Sequence, residues 1–240
     1  MTLRRLAPRA LRALRAFLLA LPRAAARALS PPACAACDTP CDDDLCPACA
    51  GSLRRITPPA SPEASPDALP IVAFAAFSGP IAVALRRLKY RSRPDLARPL
   101  GRLLSQAAQA AGLRADLVIP VPLHPRRLAE RGYNQAALLA SEAAGALGAV
   151  LVARGLTRVR DTAQQARLTR DDRLGNVVGA FVARSPERVR GCAVVLIDDV
   201  ATTGATLTAC AEALRRAGAT SVVALVVARA GAGDALDDGT

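Results

Sequence analysis

The sequence predicts an α/β fold: a parallel sheet with helices on its faces, preceded by a small cysteine knuckle. Three observations predict it. Val194 to Ile197 is a continuous apolar run ending on two adjacent acids, Asp198 and Asp199, as a strand buried on both faces does where it meets the sheet's rim. Leu207 to Ala217 is Ala- and Leu-rich, stops at Gly218, and is followed by a second apolar run, Val222 to Ala228. Strand, helix and strand in that order make a βαβ unit. Finally, Cys34, Cys37, Cys46 and Cys49 form two C-x2-C pairs, each placing two sulfurs on one ion.

A chain of 240 residues holds one good-sized α/β domain and a small attachment. With 52% hydrophobic and 2% aromatic residues, the core is built from Ala, Leu and Val. Arginine dominates the basic residues throughout, with a single lysine, Lys89, so this bias is background composition. The net charge of +12 divides unevenly, because residues 1–30 hold seven arginines and no acid. A basic balance suits a phosphate-rich small ligand or nucleic acid and does not choose between them. No apolar run reaches the ~18 residues of a membrane-spanning helix.

The segments divide as a leader (1–30), a knuckle (31–56), a linker (57–70), a main domain (71–232) and a flexible tail (233–240). In the leader, Leu11, Leu14, Phe17, Leu18 and Leu21 fall at helical spacing, with Arg9, Arg12 and Arg15 apart from them. Three readings stand for this basic amphipathic helix. It is a secretory signal with a short core, Ala16 to Leu21, broken by Pro22; it lies on an anionic membrane or nucleic acid; or, the favoured reading, it packs on the protein's own body. Four thiolates close a tetrahedral structural zinc site, leaving Cys41 as a spare on an acidic loop tip. A disulfide framework is the alternative, disfavoured by the odd cysteine count. Cys192 and Cys210 read as buried apolar residues. Thr57 to Pro70 is rich in Pro and Ser, as linkers are.

In the main domain, Phe74 leads through Ser78-Gly79-Pro80 into a helix that ends at Lys89-Tyr90-Arg91, with proline in the first turn where it is tolerated. Leu117 to Pro122 reads as a buried strand opening into L-H-P-R-R-L-A-E-R-G-Y-N-Q. There Arg126, Arg127 and Arg131 suit a pyrophosphate, whose oxygens match guanidinium forks, although at least one of the three belongs to a solvated basic loop. His124, the chain's one histidine, excludes a histidine metal cluster. A helix runs from Tyr133-Asn134-Gln135 to about Leu147. Leu156 to Phe181 is a long, polar, Arg-rich excursion between two strands, read as a lid that excludes water or as a plain surface insertion.

Ala201, Thr202, Thr203, Gly204, Ala205 and Thr206 suit a loop whose amides and hydroxyls close around a phosphate at the positive end of the next helix. Acids beside that cradle repel a phosphate but accept hydrogen bonds from a sugar diol. A ligand joining the two is phosphoribosyl pyrophosphate.

The acid pair followed by T-G-x-T resembles the signature of type I phosphoribosyltransferases. The resemblance widens to the ComF family, competence-associated proteins that pair a cysteine knuckle with such a domain. It is carried by the cysteine pairs, Lys89-Tyr90-Arg91, P-V-P at 120–122, R-G-Y-N-Q at 131–135, R-x-R-x-T-x-x-Q from Arg158 to Gln165, Arg173-x-x-Asn176 leading to Gly179-Ala180-Phe181, and Asp198 to Thr206. Phe77 stands where a tyrosine commonly precedes the G-P turn. The resemblance implies a Rossmann-like parallel sheet with a hood. It implies Asp198 and Asp199 on the ribose hydroxyls as catalytic residues and Ala201 to Thr206 around the 5′-phosphate. Pyrophosphate falls near the loop after Pro122, with Lys89, Arg126, Arg127, Arg131, Arg158, Arg160, Gln165 and Arg173 as pyrophosphate and lid residues. Mg2+ is held mostly by ligand and water, and the compartment is the cytoplasm. Three functions compete: a phosphoribosyltransferase with an unknown acceptor, a non-catalytic DNA-uptake factor working with a competence helicase on single-stranded DNA, and a ligand-sensing regulator.

Overall fold

The computed structural model describes residues 32–56, 68–159 and 179–231. The leader, linker residues 57–67 and the tail lie outside the described residues. From a short knuckle helix, α1 (Pro47–Gly51), the chain runs through β1 (Ile71–Ala76), α2 (Gly79–Tyr90), a 3-10 turn (Pro94–Leu96), α3 (Ala97–Ala110), β2 (Leu117–Pro120), α4 (Pro125–Arg131) and α5 (Gln135–Leu147). It continues through β3 (Val150–Leu151), β4 (Leu156–Arg158), β5 (Phe181–Ala183), α6 (Pro186–Val189), β6 (Ala193–Ala201), α7 (Ala205–Arg216) and β7 (Ser221–Arg229).

Five strands form one parallel sheet in the order β1-β7-β6-β2-β3. From β2 the chain moves outward to β3, and from β6 it moves outward the other way, to β7. The direction reverses between β2 and β6, and in open α/β sheets the crevice at such a reversal is where ligands bind. Side chains alternate across β6. Val195 and Ile197 join Val118, Leu225 and Val227 under α2, α3 and α5. Val194 and Leu196 join Ile119, Ala224 and Val226 under α7 and Phe181. Burial on both faces explains why these strands read as unbroken apolar runs. Leu88, Leu100 and Leu104 are fully buried, each contributing about 1.5–3 kcal/mol relative to exposure.

Two strand ends differ from the sequence reading. β2 ends at Pro120 rather than Pro122: Val121 N still donates to Ile197 O at 2.9 Å, but Pro122 has no amide hydrogen to carry the pairing further. β6 runs past the acids to Ala201, because β7 continues beside it and pairs Asp198 with Val226 and Ala201 with Arg229. The acids therefore belong to the strand itself.

α3 and α5 cross closely at Gly101, where an added Cβ lies 2.4 Å from Glu142 Cβ. Alanine is the better helix former, yet that Cβ is anchored to backbone and cannot swing away. Gly101→Ala is expected to destabilise the domain by about 1–3 kcal/mol, read as a lower urea midpoint.

The knuckle packs on the main domain. Cys34, Ala35, Ala36, Leu45 and Cys46 are buried in the same core as α2 and α3. Arg87 on α2 pairs with Asp38, and Arg102 on α3 pairs with Asp44. Residues 54–56 then run antiparallel to β1, with Arg55 opposite Ala75.

Candidate functional site

Alternation on β6 turns the two acids to opposite sides of the sheet. Asp199 follows Ile197 toward α2 and α5, where it is 3% exposed. Lys89 Nζ, in the last turn of α2, lies 2.6 Å from Asp199 Oδ2. Burial acts to raise the Asp199 carboxyl, but the Lys89 ammonium and hydrogen bonds from Lys89, Asp198 and Gln135 together bring it below its ordinary value. Burial likewise acts to lower Lys89, and Asp199 outweighs it and raises the ammonium's affinity for its proton. Asp198 is half-buried and faces the α7 side. Burial, then the Asp199 charge, pushes its carboxyl well above the ordinary range. Its Oδ1 accepts a hydrogen bond from the Asp199 amide at 2.8 Å. Lys89 thus favours the charged form of one acid, while burial beside it disfavours charge on its neighbour.

The phosphate loop follows directly. Thr202 and Thr203 are exposed, and Ala201 and Gly204 are buried. Gly204 has φ +78, and a Cβ there stands 3.3 Å from Ile71 Cδ1. Thr206 is exposed in the first turn of α7. No side chain caps α7 at its N-cap, and Ala205 N reaches Thr203 Oγ1 only at 3.4 Å. Helix-start amides of this kind attract an anion.

The other predicted residues separate. Arg126 and Arg127 are exposed on α4. Arg131 stacks 5.5 Å from the Tyr90 ring and donates to Gln135 Oε1. His124 is buried and caps α4, its Nδ1 accepting from Arg126 N at 3.2 Å. Asn134 caps α5 and donates from Nδ2 to Val121 O at 3.0 Å, tying the helix to the end of β2. β4 and β5 pair antiparallel at the foot of the predicted lid. There Arg158 lies 5.7 Å from the Phe181 ring. Arg160, Gln165 and Arg173 lie outside the described residues. Cys210 is fully buried, as expected, and burial followed by the Asp198 charge raises its thiol while Arg158 opposes. Asp198 and Arg158 thus act on the same side of the sheet. Cys192 is only half-buried, its Sγ donating to Arg188 O at 3.4 Å, because it sits in the turn before β6 and not in the core.

Gln135 was read as part of the R-G-Y-N-Q segment and a helix start, not as a site residue. It is 6% exposed and touches both Arg131 and Asp199. Its signal was a polar residue at the start of a helix whose next turns are apolar.

The thiols of Cys34, Cys37, Cys46 and Cys49 all lie within 4.8 Å of one another. Cys37 and Cys46 are 3.7 Å apart, close to the ~3.8 Å edge of a tetrahedron with 2.3 Å metal–sulfur bonds. The four residues therefore suit a soft, four-coordinate ion. Cys41 stays outside, its Sγ donating to Asp43 O at 3.2 Å.

A family described as phosphoribosyl transferase domain matches residues 125–240. The DNA utilization protein YhgH of Salmonella typhimurium strain LT2 is 37% identical over 157 residues, covering 63% of this chain and 68% of that one. YhgH of Escherichia coli strain K12 is 33% identical over 198 residues, covering 79% and 86%. Competence protein F of Haemophilus influenzae is 34% identical over 157 residues, covering 63% and 69%. Identity of this level over more than two thirds of each relative makes the chain a member of the ComF family, which carries a phosphoribosyltransferase-type domain and includes YhgH and competence protein F.

Proposed function

We propose that this protein binds phosphoribosyl pyrophosphate with Mg2+ in the crevice between β2 and β6 and transfers its phosphoribosyl group to an acceptor. The observation that carries this reading is the uncapped start of α7 directly beyond the rim acids, since it offers anion-binding amides next to acceptors for a diol. The 5′-phosphate sits on Thr202 to Thr206. Asp198 accepts hydrogen bonds from the ribose hydroxyls; Asp199, expected on the same diol, and Lys89, expected on pyrophosphate, are instead paired with each other and hold the strand end in register. Mg2+, when bound with the substrate, neutralises pyrophosphate charge. The acceptor's lone pair forms the new bond to C1, the bond from C1 to pyrophosphate oxygen breaks, pyrophosphate leaves with that electron pair, and the acceptor gives up a proton. Arg126, Arg127 and Arg131 on and after the β2 loop meet the leaving group.

The knuckle ion is zinc in a structural role, because four thiolates leave no open position for chemistry. The names of the relatives support a setting in DNA uptake or utilization, and the substrate and reduced thiols support the cytoplasm. Single-stranded DNA is the second reading, favoured by those names. With two tyrosines and four phenylalanines the chain has few stacking platforms, so such binding is expected to be weak and salt-sensitive.

Calorimetric titration tests the first reading. Binding is expected with Mg2+ present, and Asp198→Asn is expected to weaken it about 10-fold, the worth of a hydrogen bond lost from the ribose. Absence of binding at millimolar substrate and Mg2+ defeats the reading.

A further inference from the structure

The last turn of α2 is held at three consecutive residues, each by a different part of the molecule. Arg87 reaches the knuckle: Nη1 donates to Ala36 O at 3.0 Å and Ala35 O at 3.4 Å, and Nη2 donates to Asp38 Oδ2. Leu88 is fully buried, and its carbonyl accepts from the Tyr133 hydroxyl. Lys89 pairs with Asp199. Residues two apart on a helix point about 200° from one another, so Arg87 and Lys89 grip opposite sides of one turn.

The carbonyls that Arg87 holds belong to Ala35 and Ala36, the two residues between Cys34 and Cys37. Their direction is set by the closure of that C-x2-C pair on its ion. Knuckles of this size take their fold from the metal, so without the ion the carbonyls and Asp38 have no fixed place. Arg102, by contrast, anchors the knuckle to α3 through Asp44, and among the described residues no ion pair or hydrogen bond carries that anchor on to the rim acids.

We propose that Arg87 is a positioning residue that couples the closed knuckle to the ligand crevice: with the ion bound, it fixes the last turn of α2 and so holds Lys89 against Asp199. The consequence for phosphoribosyl pyrophosphate rests on the reading above; the coupling itself does not.

The composition supplies the probe. Lys89 is the chain's only lysine, and its side chain is 21% exposed in the pair. Modification of its amine, followed by peptide mass spectrometry to separate it from the α-amine, reports the pair without any ligand. Removal of the ion by a chelator, and separately Arg87→Gln with the ion retained, are each expected to raise the modification rate about tenfold or more, as loss of a charge-assisted contact does. Asp44→Asn cuts the α3 anchor, which makes no bond to the last turn of α2, and is expected to stay within about threefold of the parent. Asp38→Asn tests the same link from the knuckle side. Asp38 has φ 60, which asparagine also tolerates, so the backbone is kept even if Arg87→Gln fails to fold. An unchanged rate in Arg87→Gln or in Asp38→Asn, with ion content and far-UV circular dichroism intact, overturns the proposal, and so does an equal rise in Asp44→Asn. If the rates behave as expected and no substrate binds, the coupling stands and the transferase reading falls.

Discussion

Lys89→Met is expected to destabilise the domain by about 3–5 kcal/mol at neutral pH, the cost of leaving one member of a buried ion pair uncompensated. Methionine keeps the length and apolar stem of the side chain, so the loss is electrostatic and not a cavity. In the parent, Asp199 is held below its usual value near 3.8 and Lys89 above its usual 10.5. A depressed carboxyl stabilises above its unfolded value and loses that contribution as pH falls through the folded one. A raised ammonium stabilises below its unfolded value and loses that contribution as pH rises through the folded one. The pair therefore stabilises the fold across the neutral range. In the variant, burial acts on Asp199 against only the hydrogen bonds of Asp198 and Gln135, and its carboxyl rises. The folded state then binds a proton the unfolded state does not, and the deficit shrinks as pH falls. Urea unfolding at pH 7 and near pH 4.5 checks both points: the gap between variant and parent should be largest at pH 7 and narrow in acid. A gap independent of pH would mean that packing, not charge, is what Lys89 provides. Asp199→Asn added to Lys89→Met removes the stranded charge and should return part of the loss.

That pair also marks the limit of what one sequence reveals. Asp198 and Asp199 were legible because an apolar run that ends abruptly on acids has few explanations in a sheet buried on both faces. The threonine-rich turn was legible because small and hydroxyl residues before a helix have a known electrostatic use. The partner of Asp199 was not legible. It lies in α2, more than a hundred residues earlier, and which face of β6 each acid takes depends on where the strand ends. β6 continues to Ala201 because β7 lies beside it, and no local pattern carries that pairing. A signal existed nonetheless: a chain that uses arginine almost everywhere keeps one lysine, and a compact ammonium suits a tight site that a guanidinium fork overfills.

The sheet's strands and main helices were legible for similar reasons, since burial every three or four residues on helices and continuous burial on parallel strands leave different patterns. The crevice between β2 and β6 was not, because it is a property of strand order. The docking of the knuckle was also hidden. Arg87, Arg93 and Arg102 look like three of many arginines in the sequence, and only the fold places Asp38 and Asp44 against them.

Stripping the ion from the knuckle is expected to have the largest effect of any single perturbation, and its pattern across the cysteines is diagnostic. Structural zinc supplies about 10–16 kcal/mol to small knuckle domains. Only part of this should appear as lost global stability, because the sheet has its own two cores. The remainder should appear locally: hydrogen exchange over 32–56 should rise to that of an open chain, while β6 and β7 stay protected. Cys34, Ala35, Ala36, Leu45 and Cys46 then leave the α2–α3 face, exposing apolar surface and lowering the melting temperature. Cys34→Ser should reproduce this. Cys41→Ser should not, because its sulfur bonds Asp43 O and lies outside the four-thiol group. Acidity should act in the same direction. Hydrogen bonding with Thr39 brings the Cys37 thiol down to about 6, whereas burial pushes Cys49 up. Protons therefore compete weakly at the first sulfur and strongly at the second, and the ion should be released as the pH falls. A colorimetric chelator read against pH, with exchange measured on the same samples, ties release to unfolding of the knuckle. Equal loss of ion from Cys41→Ser and Cys34→Ser would show that the four sulfurs do not act as one site.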